Sequence, residues 1–190
     1  MSQLTVEERL EKIEKDTQKT KDMWEVQNLM NRYEYLLSHD QLERVPALFS
    51  KRDDVGVQIS TWGIWEGPQA IYDLMVKNHT WIQRDETNRI LPGSMFMNTN
   101  CGPIIEIAGD GKTAKGVWVC PGLGTPMTEQ GLVSNWQWCI RGTDFIKEDG
   151  EWKIWHYLAQ GLFSTSFDKP WSEIKEASKM ELKAKESLPS

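Results

Sequence analysis

Tryptophan is the residue this chain uses most unusually: ten occur among 190 residues. Trp62 and Trp65 lie either side of Gly63, Trp136 and Trp138 alternate with polar residues, and Trp152 and Trp155 follow the Asp149-Gly150 turn. Large rigid aromatics whose indole N–H groups need partners suit the walls of a pocket for a bulky, partly polar ligand, and they equally suit a packed core. Trp62, Trp65, Trp118 and Trp136 are the candidate wall residues.

Chemistry run by side chains alone in such a pocket, an elimination or an isomerisation, needs two groups. One is a base for a carbon-bound proton; the other is a donor for the developing oxyanion or the departing hydroxyl. The residues of the right type are Tyr33, Tyr35, His39, Asp40, His79, Asp144 and His156. Strict alternation on the last strand puts Trp152, Ile154, His156 and Leu158 on one face. If that face lines the pocket, His156 sits among apolar neighbours and titrates near neutral pH, as catalyst or as structural histidine. His79 follows a helix and is a candidate ligand contact or a C-terminal residue favoured by the helix dipole. On the strand 132–141, Trp136, Trp138 and Ile140 share one face and Asn135, Gln137, Cys139 and Arg141 the other. Sequence leaves open which looks inward. An inward polar face brings Asn135 and Arg141 to a ligand oxygen or carboxylate, and an outward one gives them intersubunit hydrogen bonds.

The elements that must position these residues are legible in outline. Thr5 and Glu8 form a capping box, and nothing breaks a helical pattern from there to about residue 37. The early turns are polar and the turns from 24 to 37 richly apolar, so the helix changes from an extension, lying on a neighbouring subunit or on the outer surface, to a core element. A short second helix is expected over 41–49, a strand over 55–60 with a return at 62–65, and a third helix opening at Pro68. Four strands follow at 104–108, 113–120, 132–145 and 152–163, with Gly109-Asp110-Gly111 and Glu148-Asp149-Gly150 as turns. The segment 121–131 reads as a loop, a mobile lid or a plain surface connection. Residues 172–185 read as a charged, peripheral helix. Helices first and antiparallel strands after define an α+β fold.

Composition bounds the partners. A net charge of −6 and basic residues interspersed with acids argue against nucleic acid. No stretch reaches the ~20 apolar residues of a membrane span, and residues 1–12 contain no apolar run of a signal peptide. Cys101, Cys120 and Cys139 are odd in number and lack ligand spacing, which argues against a disulfide framework or a zinc site and fits a reducing, cytoplasmic setting.

The order of elements resembles the SnoaL-like branch of the NTF2-like superfamily. The resemblance rests on Asn31-Arg32-Tyr33 with His39-Asp40 at the helix end, Leu48-Phe49, and Trp65-Glu66-Gly67. It continues through 105–110, 113–116 with Val117-Trp118, and the closing 149–154. It spans about residues 23–166, leaving 1–22 as an N-terminal helical extension and 167–190 as a charged tail. It implies a conical barrel in which a strongly curved, mixed but mostly antiparallel sheet wraps around N-terminal helices. It also implies a small-molecule pocket worked without metal or organic cofactor, and a homo-oligomer, dimer or trimer. The implied function is a dehydratase-type lyase or an isomerase acting on a hydrophobic aromatic or polycyclic hydroxylated substrate. Polyketide cyclases and non-catalytic binding or assembly modules share the fold. Tyr33 matches the first-helix tyrosine of the dehydratase-like members. Their acid five residues later is Ser38 here, so Asp40 either takes that role through a shifted helix end or caps the next helix. Where those members carry a strand histidine, this chain has Asn98 and Asn100, which orient or donate but are no bases. His156 is then the candidate replacement base.

Overall fold

The computed structural model describes residues 4–60, 62–78 and 81–174. Helix α1 runs from Val6 to Ser38, opened by Thr5: its side chain accepts from the Glu8 amide at 3.2 Å while Glu8 accepts from the Thr5 amide at 2.7 Å. Through Lys21 the helix is exposed; from Asp22 onward Val26, Leu29, Met30, Tyr33, Leu36 and Leu37 face the core. Asp22 marks the change. It accepts from Lys147 Nζ at 2.6 Å and Trp152 Nε1 at 3.0 Å, fastening the helix to the sheet where it enters the domain.

The helix ends in a Schellman motif. Asp40 adopts a left-handed φ of 56°, the Gln41 amide donates to the Leu36 carbonyl at 2.8 Å, and the Asp40 amide donates to Leu37 at 3.2 Å. Asp40 therefore closes α1 and does not cap the next element. The expected helix over 41–49 is two 3₁₀ turns, Leu42–Arg44 and Pro46–Leu48, with Pro46 opening the second. Strand β1 (Gly56–Ile59) turns back into β2 (Gly63–Glu66), and Pro68 starts α2 (Pro68–Tyr72), which widens into a π turn over Asp73–Lys77.

Five longer or shorter strands and one small hairpin complete the chain. They are β3 (Phe96–Asn98), β4 (Cys101–Ile107), β5 (Thr113–Gly124), the pair β6 (Met127–Thr128) and β7 (Gly131–Leu132), β8 (Asn135–Glu148) and β9 (Glu151–Ser166). The main sheet runs β2-β1-β9-β8-β5-β3, with β4 also on β5; β1 and β9 are parallel and the other pairs antiparallel. It is an open, curved cone around the second half of α1.

Further expectations need correction. The lid segment 121–131 is not one loop: β5 continues to Gly124 and the rest forms the β6–β7 hairpin. Proline sits within β5 because the Pro121 carbonyl faces Thr99, in the gap between β3 and β4. There the missing N–H interrupts no ladder. The uniform face Trp152, Ile154, His156, Leu158 is also not formed. Phe145 pairs with Ile154 and Asp144 with His156, so Trp155 is an extra residue that inverts the alternation. A second bulge at Leu162 lies between the Trp138–Phe163 and Cys139–Gly161 pairs. Of the expected tail helix, Trp171–Glu173 is a single 3₁₀ turn, and 175–185 lie outside the described residues.

Candidate functional site

Between α1 and the concave face of the sheet lies a cavity of about 560 Å³. Its aromatic walls are Trp62, Trp81, Phe96, Trp138 and Phe163, and Trp81 stacks on Phe96 with centroids 4.7 Å apart. Its polar groups come from several elements. Tyr33 is supplied by α1, Asn98 by β3, and Asn135, Gln137, Cys139 and Arg141 by the polar face of β8, which is thus the inward one. Past its bulge, β9 adds Tyr157, Ala159 and Gly161.

The deepest polar feature is a buried ion pair: Arg141 Nη1 donates to Glu34 Oε1, with side chains 4% and 7% exposed. Asn100 braces it, accepting from the same Arg141 nitrogen at 3.2 Å and from Cys120 Sγ at 3.4 Å while donating to the Met30 carbonyl at 3.0 Å. Asn100 therefore positions Arg141 from outside the cavity lining. Arg141 Nε is buried without a partner among the described residues, and the guanidinium lies 5.8 Å from the Tyr157 ring centroid. The Tyr33 hydroxyl is also buried; the Tyr157 side chain, its ring 5.1 Å away, is a polar neighbour, but the approach falls short of ordinary hydrogen-bond geometry. Burial pushes the Tyr33 phenol up to about 12 against the opposing pull of the Arg141 charge. At neutral pH it holds its proton and is a donor.

Asn98 accepts from Gln137 Nε2 at 3.1 Å and is pressed against the backbone of β5. A Cβ at Gly122 would stand 1.8 Å from Asn98 Oδ1 and 3.0 Å from the Met97 carbonyl. Gly122→Ala is accordingly expected to cost about 1–3 kcal/mol by overpacking and to turn Asn98 out of the cavity. Urea denaturation checks the loss, and adding Asn98→Ala should recover most of it; a single variant as stable as wild type refutes the close approach.

Other sequence candidates stand elsewhere. Asp40 pairs with Arg84 away from the lining, and His39 lies over Tyr35 with Nδ1 2.8 Å from its carbonyl. Trp118 is in the core, donating to Gln27 at 2.9 Å; Trp65 donates to the Trp62 carbonyl at 3.1 Å; Trp136 packs against Phe163 and Trp171. His79 lies outside the described residues. Residues that type and spacing did not single out include Glu34, Trp81, Phe96, Tyr157 and Phe163; Trp138 and Gln137 carried a signal only in the alternation along β8. Cys120 and Cys139, far apart in sequence, are register partners across β5 and β8, and both are free thiols.

His156 does not line the cavity, because the Trp155 bulge turns it to the other face. There Nδ1 lies 3.2 Å from Asp144 Oδ2 and Nε2 lies 3.0 Å from the Asp54 carbonyl. Both ring nitrogens face acceptors, which favours the doubly protonated ring; the Asp144 contact, outweighing burial, raises its pKa above the ordinary 6.5. A raised folded-state value means the stabilisation is complete below about 6.5 and is lost as pH climbs through the higher folded value. Denaturation midpoints taken across that window should fall for the wild type more steeply than for Asp144→Asn. Equal slopes overturn the assignment.

Among the described residues no three His, Cys, Asp or Glu side chains converge as a metal site, and no helix is long and apolar enough to cross a membrane. The fold is an open α+β cone that encloses an aromatic cavity, with Arg141 and Glu34 paired in its interior. The chain belongs to the SnoaL-like domain family, whose pattern matches residues 18–157. Solved structures share the fold. A protein provisionally designated scytalone dehydratase from Novosphingobium aromaticivorans is 16% identical with a TM-score of 0.64, covering 82% of this chain and 94% of that one. A hexachlorocyclohexane dehydrochlorinase, LinA-type3 of Novosphingobium barchaimii, is 17% identical with a TM-score of 0.64, covering 82% and 96%. An NTF2-like protein with a cystatin-like fold, also from N. aromaticivorans, is 14% identical with a TM-score of 0.59, covering 85% and 92%. No curated protein matches the chain.

Proposed function

We propose that this chain is a cofactor-independent lyase of the dehydratase type, or an isomerase, acting on a hydrophobic aromatic or polycyclic substrate that carries a hydroxyl group. The observation that carries the reading is the Tyr33 hydroxyl, protonated and buried in an aromatic cavity beside Arg141, with no hydrogen bond of ordinary geometry among the described residues. Aromatic walls hold a flat ring system, and the phenol donates to the oxygen that gains charge, with the nearby guanidinium lowering the cost of that charge. Dehydratase and dehydrochlorinase, the activities named for two structures of this fold, are both eliminations.

Neither imidazole nor carboxylate lines the cavity among the described residues. In this reading the departing oxygen itself takes the carbon-bound proton: the C–H pair becomes the new double bond, the C–O bond breaks towards oxygen, and water leaves. Such a syn elimination calls for a C–H made acidic by a neighbouring carbonyl. The lack of a lining base among the described residues also favours a second reading, a non-catalytic small-molecule-binding module.

Tryptophan fluorescence titrated with hydroxylated aromatics, steroids and polyketide-like compounds, with mass detection of products, separates the two. Binding with loss of the mass of water supports the lyase, and unchanged mass with an altered spectrum supports an isomerase or cyclase. Binding across the panel without any conversion overturns catalysis in favour of the binding module.

A further inference from the structure

The exposed first half of α1 takes no part in the cavity, yet its sequence is patterned. Val6, Leu10, Ile13, Thr17, Thr20 and Trp24 recur at alternating intervals of four and three residues, the spacing of a coiled-coil seam. Val6, Leu10, Ile13 and Trp24 are each more than half exposed. Ile13, Thr17, Thr20 and Trp24 line one shallow groove with Asp16 and Lys21. The Thr20 hydroxyl is taken up by the Asp16 carbonyl at 2.9 Å, which leaves its methyl group for the seam.

The residues that fasten α1 to its own sheet, Asp22, Val26, Leu29, Tyr33 and Leu36, form a second stripe. At 100° per residue the two stripes are centred roughly 160° apart. A helix can therefore lie along the outer stripe without meeting the domain. An isolated helical extension of this length is marginal in water, and burial of such a stripe is what stabilises it.

Charge selects the occupant. The seam is flanked by Glu7, Glu14 and Lys21 on one side and by Arg9, Asp16 and Met23 on the other. In a parallel, in-register pair each residue of the second set meets the residue five positions further along in the other chain. Arg9 then faces Glu14 of the second copy and Asp16 faces Lys21 of the second copy, and symmetry repeats both attractions. An antiparallel pair sets Asp16 against Asp16 and Glu14 against Glu14. Asp16 and Lys21 already hold Lys12 at 2.6 Å and Glu25 at 3.7 Å within the helix, so pairs across the seam extend these into ladders.

We propose that residues 6–24 bind a second copy of this chain as a parallel two-stranded coiled coil, forming a homodimer with the two cavity domains on opposite outer sides of the helix pair. The dimer is independent of what the cavity binds, so a failure of either reading leaves the other standing.

Two full-length variants test it: Arg9→Glu with Asp16→Lys, and Glu14→Lys with Lys21→Glu. Each alone places like charges across the seam and should raise the dissociation constant of its own dimer roughly a hundredfold by sedimentation. Mixing the two makes every flanking pair attractive again and should restore a dimer containing one of each. In a Cys101→Ser background, Ile13→Cys should form an intersubunit disulfide under mild oxidation. All the substituted seam and flank positions are exposed, so the fold of the domain is not at stake. A monomeric wild type, association indifferent to both charge variants, or cross-linking only between Ile13→Cys and Thr17→Cys chains would each overturn the parallel coil.

Discussion

Glu34→Leu is expected to destabilise the protein by about 3–5 kcal/mol, the largest loss of any single substitution considered. The reason lies in what is left behind. Arg141 and Glu34 are 4% and 7% exposed, so removing the carboxylate strands a guanidinium with Asn100 as its remaining hydrogen-bond acceptor among the described residues. The cost is desolvation without compensation, far above that of a surface pair. A double variant, Glu34→Leu with Arg141→Met, removes both charges at once and should regain most of the stability, because apolar groups of similar size replace a buried pair at little net cost. The double variant should nevertheless bind any oxygen-bearing cavity ligand poorly, since the floor has lost its cation. Urea midpoints for the three proteins decide the matter. A Glu34→Leu protein within about 0.5 kcal/mol of wild type, the range of an ordinary surface change, shows the pair to be solvated.

That pair also shows where reading the sequence stops. Local rules were enough for the capping box at Thr5 and Glu8, the Asp149-Gly150 turn with φ of 50° and 83°, and the general order of helices and strands. Those features are decided by residues within a few positions of one another. The position of His156 was not legible, because one extra residue at Trp155 reverses the side chains of β9 as far as the second bulge at Leu162, and nothing in residue type announces a bulge. The same reversal brings Tyr157 inward, beside Tyr33. Pro121 looked like the end of β5 because its missing N–H is costly in a full ladder, and only the gap between β3 and β4 removes that cost. Glu34 reads as one more polar residue on a long helix; its burial depends on an arginine 107 positions later in the chain. Tyr33, Asn98 and Arg141 were legible as candidates, and the structure brings these three to one cavity.

Tyr33→Phe is the substitution that separates structure from function most cleanly. A buried hydroxyl that serves the fold is held by a partner, and deleting it destabilises. The Tyr33 hydroxyl has none of ordinary geometry, so the phenylalanine variant loses only a desolvated polar atom and keeps the ring contacts with Phe49 and Tyr157. Its melting temperature should match or exceed that of the wild type. Turnover should fall by about 10²–10³, the usual effect of removing one preorganised donor to a developing oxyanion, while ring binding within the aromatic walls is largely kept. The pair of readouts matters more than either alone. Equal stability with lost turnover places the phenol on the substrate oxygen. Lost stability shows that Tyr33 is a structural tyrosine bonded in solution to a group such as Tyr157, and unchanged turnover assigns the donor role to Arg141 Nε, the other buried donor left unpaired at the cavity floor. An unpaired donor held in a dry cavity is costly to the fold, and a ligand oxygen that accepts from it recovers that cost on binding.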